Sequence, residues 1–361
     1  MNRRLLVILV LLLCGCERTP APDTPSQTLH DLQVLGSHNS YKRALPGNLL
    51  SFVASADPDW ARAIDYSHRS LASQLDGGLR QLEIDVLADP AGGKYSSPFA
   101  QQLLAGSGYE IGMDDGFDAA ALSAPGLKVL HVPDIDVFTH CATFVGCLQS
   151  IRRWSDSNSD HLPLFILINV KESPAFIENG VQPIVFGETE YAGLDGEILS
   201  VWPRERLVVP ADIIRPGKSL RESVLQHGWP PISESRGKLV FIFDGDTRQS
   251  DTYRKQQPSL ADRVMFAAVD ASQEAAAIFV VNDPVRDQAR IRALVDQGFI
   301  VRTRADAGFD ESPSEMKARL EAAISSGAQI ISTDFYSGSP NSERIGYAVE
   351  PFQGEPTRDP L

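Results

Sequence analysis

An α/β fold with a parallel sheet is predicted by three observations on this 361-residue sequence. Eight short runs rich in β-branched and aromatic residues recur along the chain, with amphipathic helical patterns between several of them. The runs are almost continuously apolar, which is typical of parallel strands covered on both faces. No glycine-rich phosphate loop follows any run, which weighs against the alternative, a doubly wound open sheet. We therefore expect one (β/α)8 TIM-barrel-like domain with some distortion.

The predicted strands lie at 32–39, 79–87, 127–132, 162–171, 238–246, 276–283, 299–306 and 328–336. The sixth is ambiguous, because "MFAAVD" at 265–270 competes for it with "VVNDP" at 280–284. The two long segments between runs, at 88–126 and 172–237, are expected to form extended loops or extra helices at the barrel rim.

Helical patterns are clearest at 143–158, 287–298 and 312–327. In the last of these, Ser312 and Glu315 have the spacing of a capping box, and Pro313 lies in the first turn. An apolar stripe follows and Gly327 ends it, as expected at a helix C-terminus.

The N-terminus has the features of a bacterial lipoprotein signal peptide at 1–16. A short basic segment precedes an apolar run too short to span a bilayer, and "LCGC" resembles a lipobox ending at Cys16. We expect acylation of Cys16, the alternative being ordinary signal cleavage nearby. Residues 17–29 would form a disordered linker and 30–361 the folded domain. This predicts an exported protein, lipid-anchored in the bacterial envelope at the periplasmic or outer membrane.

Charge and cysteine content narrow the function classes. The formal net charge of −14 and the pI near 4.9 argue against a nucleic-acid partner and against polybasic docking on anionic lipid. Beyond the signal segment only Cys141 and Cys147 are present, six residues apart. In an exported protein we expect them to form a disulfide. The alternative is a metal site with His140, but no second ligand pair has suitable spacing.

Polar residues occur where the first four predicted strands end. They are His38, Asn39, Glu83, Asp85, His131, Asn169 and Lys171. In a parallel barrel the carboxyl ends of all strands meet at one face, so these side chains are expected to share a pocket. Side chains alternate along a strand, so Glu83 and Asp85 point the same way, as do Asn169 and Lys171.

This residue set predicts metal-assisted phosphoryl chemistry. Two carboxylates at a barrel mouth repel each other unless a cation lies between them. With two amides they give four oxygen donors, Asn39, Glu83, Asp85 and Asn169, a set that selects Ca²⁺ or Mg²⁺ over Zn²⁺. Two flanking histidines suit phosphate, one stabilising charged oxygens and one protonating a leaving oxygen. The metal would lower the pKa of an attacking hydroxyl.

Four stretches carry a family resemblance: "GSHNSY" (36–41), "LRQLEIDV" (79–86), "LKVLHV" (127–132) and "LFILINVK" (164–171). They resemble the X-type catalytic region of calcium-dependent phosphatidylinositol-specific phospholipases C. Further stretches are similar to the bacterial and fungal exported branch, and the likeness runs from about residue 30 to 350. It implies a distorted TIM barrel with Ca²⁺ at its mouth. It also implies cleavage of a phosphatidylinositol-like lipid by intramolecular attack on phosphate.

The resemblance also implies roles for the histidines and acids. His38 would stabilise the pentacoordinate phosphate, and His131 would protonate the diacylglycerol leaving group. Asn39, Glu83 and Asp85 would hold Ca²⁺, and one of the two acids would also take the proton of the attacking inositol hydroxyl.

The sequence departs from the family at Asn169, where a Glu is usual two residues before Lys171. The lost negative charge should weaken metal binding and makes Mg²⁺ harder to exclude. Lys171, Arg302 and Arg304 are expected to contact substrate phosphate or hydroxyls.

Three functions remain open at this stage. The first is a phospholipase C-type phosphodiesterase acting on a phosphatidylinositol-like lipid. The second is a hydrolase of glycerophosphodiesters or other polyol phosphodiesters, because a fold does not fix the substrate. The third is a non-catalytic lipoprotein that binds a lipid head group. We expect a monomer, with the segment at 95–120 as the candidate lipid-contacting surface.

Overall fold

The computed structural model describes residues 27–174 and 177–352, and its strands form a single sheet. The strands are β1 (Val34–Gly36), β2 (Gln81–Val86), β3 (Leu164–Val170), β4 (Leu239–Phe243), β5 (Phe266–Ala267), β6 (Ile278–Val280), β7 (Ile300–Arg304) and β8 (Ile330–Ser332). Every pairing is parallel, in the order β5-β4-β3-β2-β1-β8-β7-β6. No ladder joins β5 to β6 within the described ranges, so the (β/α)8 barrel is distorted and nearly closed, as predicted.

Fourteen α-helices surround the sheet in the described part of the chain. They are α1 (Gly47–Ala56), α2 (Pro58–Ile64), α3 (Leu71–Asp76), α4 (Phe99–Gly106), α5 (Ala119–Ser123), α6 (Phe144–Ser157), α7 (Glu188–Val201), α8 (Pro210–Ile213), α9 (Leu220–His227), α10 (Ile232–Ser235), α11 (Thr247–Tyr253), α12 (Gln288–Asp296), α13 (Pro313–Ser325) and α14 (Pro340–Ile345). The three helices predicted most clearly correspond to α6, α12 and α13. The capping box of α13 is present, since the Ser312 hydroxyl accepts the Glu315 N–H at 3.4 Å and the Ser312 N–H donates to Glu315 Oε2 at 2.7 Å.

The predicted third strand, 127–132, is wrong. Lys128 forms only isolated bridges, to Leu87 and to Thr143, and β2 pairs directly with β3 instead. Val129 and Leu130 are fully buried, but they lie in the long segment after β2 and outside the sheet. Hydrophobicity alone does not distinguish a strand from a buried loop.

The ambiguity at the sixth strand has a simple cause. Both competing runs lie at strands: "MFAAVD" contains β5, and "VVNDP" begins at Val280, the last residue of β6. The barrel therefore reaches eight strands with β5 in place of the predicted strand at 127–132. The segments at 88–126 and 172–237 carry α4–α5 and α7–α10, as expected for inserts at the rim.

The termini and cysteines complete the comparison with expectation. The signal segment, Cys16 and residues 353–361 lie outside the described residues. The last residues of the predicted linker belong to the folded domain, because Leu29 is buried in the core and Thr28 bridges to Pro231. Cys141 and Cys147 form the predicted disulfide, with their Cα atoms 5.2 Å apart, which excludes the alternative metal site. No helix in the described ranges is long and apolar enough to cross a membrane.

Candidate active site

The segment after β1 is held against β2. A Cβ at Gly36 would lie 2.1 Å from Gln81 Oε1, so only glycine allows this close approach. Asn39 then adopts a left-handed φ of 45°, which reverses the chain. Ser40 fastens the reversal, because its hydroxyl accepts the Glu83 N–H at 2.7 Å and its own N–H donates to the Glu83 carbonyl at 2.9 Å. These contacts explain why small and polar residues follow the strand.

The two predicted catalytic histidines converge on one aromatic ring. The centroid of the Tyr66 ring lies 5.9 Å from that of His38 and 5.8 Å from that of His131. His38 arrives from the end of β1, whereas His131 arrives from the long segment after β2. His38 and His131 therefore lie close together, as expected, although His131 does not end a strand.

Each imidazole has a carboxylate behind it. His131 Nδ1 lies 2.7 Å from Asp136 Oδ2, and this carboxylate also contacts the buried Lys42 Nζ at 3.2 Å. His38 Nδ1 lies 3.3 Å from Asp334 Oδ2, and His38 Nε2 lies 3.8 Å from Glu83 Oε1. These contacts orient both rings.

Asp334 is the centre of a buried charge network. Burial alone would raise its pKa, but His38, His68 and Arg304 together hold the pKa of Asp334 well below its usual range. Arg304 Nη2 lies 3.1 Å from Asp334 Oδ2 and 2.7 Å from Asp306 Oδ1. Arg304, predicted as a substrate-binding residue, is thus already engaged by two carboxylates.

Glu83 is buried at the mouth and saturated with partners. Its Oε2 lies 2.6 Å from Arg302 Nη2, and its Oε1 accepts a hydrogen bond from Asn169 Nδ2 at 2.9 Å. Arg302 and Asn169, predicted as a substrate and a metal contact, therefore both meet the same acid.

Asp85 is buried two residues further along β2. Its Oδ2 accepts the Tyr41 hydroxyl at 2.7 Å and lies 3.0 Å from Lys171 Nζ. The other oxygen, Oδ1, is buried without a hydrogen-bond partner among the described residues. Asp85 pulls the pKa of Lys171 upward against the opposing effect of burial.

Known proteins share both the sequence pattern and the fold. A family profile for phosphoinositide phospholipase C, Ca²⁺-dependent, matches residues 28–359. This chain belongs to that family. It is therefore an enzyme, a phosphodiesterase of the phospholipase C type that acts on phosphoinositide lipid, and its cofactor is Ca²⁺.

Two solved structures resemble this phospholipase C in fold. One is a calcium-dependent phosphoinositol-specific phospholipase C from a Gram-negative bacterium, Pseudomonas sp., with 14% identity over 91% of this chain and 96% of that one, at a TM-score of 0.55. The other is a Ca²⁺-dependent phosphatidylinositol-specific phospholipase C from Streptomyces antibioticus, with 16% identity over 91% and 100%, also at 0.55. No curated protein sequence matches the chain.

The oxygen atoms at the mouth of this phospholipase C fit a hard cation. Asn39 Oδ1 and Asp85 Oδ1 are both buried and accept no hydrogen bond from the described part of the chain. Buried oxygens without donors are costly unless a ligand or ion satisfies them. No three His, Cys, Asp or Glu side chains cluster as a metal site in the described ranges. An ion at this mouth would thus need amide oxygens in addition to carboxylate oxygens.

A cavity of about 380 Å³ opens beside His131 in this phospholipase C. His131 and Lys171 line it together with Trp60 and Gln249. His131 and Lys171 therefore border a common space large enough for a ligand group.

Sequence reasoning missed five residues that shape the site of this phospholipase C. They are Tyr41, Tyr66, Asp136, Asp244 and Asp334. Asp334 and Asp244 end predicted strands, in "STDFY" and "FIFDGD", so the criterion that found Asp85 applied to them as well. Tyr66 and Asp136 lie in loops, where no periodicity marks them.

Proposed function

We propose that this phospholipase C cleaves phosphatidylinositol-like lipids at the barrel mouth, with His38, His131 and the acids of β2 as its chemical groups. The convergence of both imidazoles on Tyr66, beside buried Glu83 and Asp85, carries the proposal. A phosphoryl transfer needs donors around the phosphate, a proton acceptor for the nucleophile and a proton donor for the leaving group. This pocket offers one group for each need.

The reaction begins with a head-group hydroxyl attacking the phosphorus atom beside it in the same molecule. The new O–P bond forms as the bond from phosphorus to the glycerol oxygen breaks. One of the two acids of β2, Glu83 or Asp85, takes the hydroxyl proton. The products are diacylglycerol and a cyclic inositol phosphate, which water can open.

His131 acts as the general acid, and His38 binds the phosphate. His131 Nδ1 is committed to Asp136, so its Nε2 is left to protonate the glycerol oxygen. His38 Nδ1 lies against Asp334, which orients the ring to donate a hydrogen bond to the charged oxygens of the pentacoordinate phosphate.

Asn39 and Asp85 would hold the calcium ion, with Glu83 and Asn169 beside them. When bound, Ca²⁺ supplies positive charge that lowers the pKa of the attacking hydroxyl and neutralises phosphate oxygens. Lys171 and Arg302 stay paired with Asp85 and Glu83 and limit the repulsion between these acids. Because Asn169 carries no charge, we expect weak discrimination against Mg²⁺.

We further propose a lipid-contacting surface on the same face of the barrel. Phe52 on α1, Tyr109 and Met113 are 40%, 39% and 66% exposed. They belong to the segments that follow β1 and β2, whose carboxyl ends form the site. A hydrogen bond from Asn48 Nδ2 to Ser107 Oγ, at 3.3 Å, joins these two segments. Exposed aromatic and apolar side chains next to a lipid-cleaving site favour contact with a phospholipid surface.

We also propose that the enzyme is exported, anchored through acylated Cys16, and active as a monomer. The signal-like segment and its lipobox support anchoring, and similar folds occur in a Gram-negative bacterium. The monomer is supported by the site itself, because one chain supplies all of its groups. Intact-mass measurement of the mature protein and of Cys16→Ser would test the acylation.

Assays of head-group release test the proposed function. The purified protein is incubated with phosphatidylinositol or with glycerophosphoinositol, each with Ca²⁺ and with EGTA. We expect Ca²⁺-dependent release of inositol phosphate from the lipid and at least a hundredfold loss in His38→Ala. Turnover of only the water-soluble diester would support the polyol-phosphodiesterase alternative. Binding without turnover of either would support a head-group-binding lipoprotein.

A further inference from the structure

Lys42 follows His38 in the segment after β1, and its side chain is completely buried. Lysine is almost never buried in this way unless it is paired. Its partner is Asp136, whose side chain is also fully buried and whose Oδ2 lies 3.2 Å from Lys42 Nζ. Replacing such a pair by apolar residues is often neutral or stabilising, so a buried pair at this place points to a role beyond stability.

The surroundings of Lys42 match the charged form of its side chain. Nζ donates to the Tyr66 carbonyl at 2.7 Å and to the Arg43 carbonyl at 3.3 Å, and Asp136 Oδ2 is a third acceptor. An ammonium group has three N–H donors and accepts no hydrogen bond, so these three oxygens use it fully. Burial lowers the pKa of Lys42, and Asp136 opposes this shift.

A single carboxylate oxygen joins Lys42 to His131. Asp136 Oδ2 lies 2.7 Å from His131 Nδ1 and 3.2 Å from Lys42 Nζ. The other oxygen, Asp136 Oδ1, is buried and has no hydrogen-bond partner among the described residues. The position of the carboxylate behind the imidazole therefore depends on the ammonium group on its other side.

The ammonium group lies next to the pocket of the two histidines. Lys42 Nζ is 4.5 Å from the centroid of the Tyr66 ring, which suits a cation–π contact. His38 and His131 pack against the same ring, with centroids 5.9 Å and 5.8 Å away. Lys42 is thus a direct neighbour of the groups that surround the proposed general acid.

We propose that Lys42 is a positioning residue, whose ammonium group holds the Asp136 carboxylate in place and thereby fixes the ring of His131. This rests on the proposed function, in which His131 protonates the glycerol oxygen. A general acid must lie within hydrogen-bond reach of the oxygen that it protonates. A displacement of about 1 Å can cost about 10²-fold in rate, so a loosely held carboxylate behind the ring lowers the rate of proton delivery.

The test compares Lys42→Gln with the wild type in the full chain with Ca²⁺. Glutamine removes the charge but keeps N–H donors for the Tyr66 carbonyl. The substrates are phosphatidylinositol in mixed micelles and a nitrophenyl ester of inositol phosphate, whose leaving group departs without protonation. We expect kcat on the lipid to fall at least about tenfold, while kcat on the ester and both KM values stay within about threefold.

Two kinetic results would overturn the proposal while the proposed function stands. One is an equal loss of kcat on both substrates, which would assign Lys42 a purely structural role, because a disturbed pocket slows every substrate. The other is an unchanged kcat on both substrates, which would show that His131 is held without Lys42.

Combining Lys42→Gln with Asp136→Asn tests whether Lys42 acts through Asp136. On phosphatidylinositol, kcat of the double variant should lie within about threefold of that of Asp136→Asn alone. A further tenfold loss would contradict the proposal. If Lys42→Gln alone does not fold, the same comparison decides, because the double variant leaves no unpaired charge; a folded double variant with the kcat of Asp136→Asn would support the proposal.

Lys128→Gln is the matched control. The Lys128 side chain is also fully buried, and its Nζ lies 3.5 Å from Asp89 Oδ2 and donates to the Gly126 carbonyl at 2.8 Å. Burial lowers the pKa of Lys128, and Asp89 opposes the shift, as Asp136 does for Lys42. This variant should keep the kinetic constants of the wild type on both substrates, and a selective loss on the lipid would contradict the proposal. Thermal unfolding verifies that each variant is folded at the assay temperature.

If the wild type cleaves neither substrate, the proposed function fails, and NMR spectroscopy of the His131 imidazole decides the inference separately. A proton on Nδ1 that is donated to Asp136 gives a downfield signal, which His131→Gln identifies by its loss. Absence of this signal in Lys42→Gln and its presence in Lys128→Gln would support the positioning role. An unchanged signal in Lys42→Gln would overturn it.

Discussion

The guanidinium of Arg302 and the carboxylate of Glu83 form a buried ion pair, with Nη2 2.6 Å from Oε2 and side-chain exposures of 2% and 4%. The pair joins β7 to β2 across the barrel mouth, between residues 219 positions apart in the chain. The guanidinium of Arg302 balances the negative charge of Glu83, one carboxylate of the proposed calcium site. The same contact therefore contributes to both the stability of the barrel and the charge of the site.

Removal of this arginine should destabilise the protein strongly. Arg302→Met leaves Glu83 buried without its charge partner, and such a loss costs about 3–5 kcal/mol. Urea denaturation should report that decrease in the free energy of unfolding. The control is Arg286→Met, because the Arg286 side chain is 74% exposed and its ion-pair partners among the described residues are the nearby Asp283 and Asp287, so a change within about 0.5 kcal/mol is expected. Equal effects of the two substitutions would show that the ion pair adds no stability.

The catalytic effect of the Asp136 carboxylate should be seen only when the leaving group needs a proton. Asp136→Asn removes the charge behind His131 and should lower kcat on phosphatidylinositol about 10²-fold or more. A nitrophenyl ester of inositol phosphate has a leaving group that departs without protonation, so its kcat should fall less than tenfold. The exposed Asp114→Asn serves as the control. Equal losses on both substrates would contradict the assignment of His131 as general acid.

Stability should depend on pH through Asp244. The folded-state pKa of about 6 lies above the usual 3.8, so the folded protein binds the proton more tightly than the unfolded chain. Ionised Asp244 therefore destabilises the fold increasingly as the pH rises from about 4 to 6. In calcium-free buffer, Asp244→Asn should be more stable than the wild type at pH 8, by the order of 1–3 kcal/mol, and equal near pH 4. An offset independent of pH would contradict this account.

Lipid binding should depend on the exposed side chains near the site. Met113→Ser removes a side chain that would be buried in the lipid interface, and we expect about tenfold weaker binding to phosphatidylcholine vesicles in sedimentation assays. The assay uses the protein without residues 1–16, so that acylation cannot mask the effect. Leu199→Ser, on α7 and 46% exposed, should leave vesicle binding unchanged. A comparable loss in both variants would argue against a defined lipid-contacting surface.

Much of the fold could be predicted because the strands of a parallel barrel are short, apolar and separated by amphipathic helices. β3 shows why: Phe165, Ile166, Leu167 and Ile168 are all fully buried, so nothing in the run alternates. The same property misled the prediction at 127–132, where Val129 and Leu130 are equally buried under a loop. Burial by a long insert and burial in a sheet leave the same pattern in the sequence.

The site was predictable where polar residues interrupt apolar strands. Glu83, Asp85 and Asn169 were found in this way, and the structure brings them together. His131 was found by the same rule for the wrong reason, since it reaches the pocket from a loop. The carboxylates behind the two histidines, Asp136 and Asp334, become recognisable only when the distances between side chains are known.

The central claim is that Asn39 and Asp85 bind the calcium ion between the two histidines. Anomalous diffraction from crystals soaked in Ca²⁺ measures this position directly. We predict one ion bound by Asn39 Oδ1 and Asp85 Oδ1, each about 2.3–2.6 Å from the metal. An ion bound elsewhere, with these two oxygens still lacking a partner, would contradict the account.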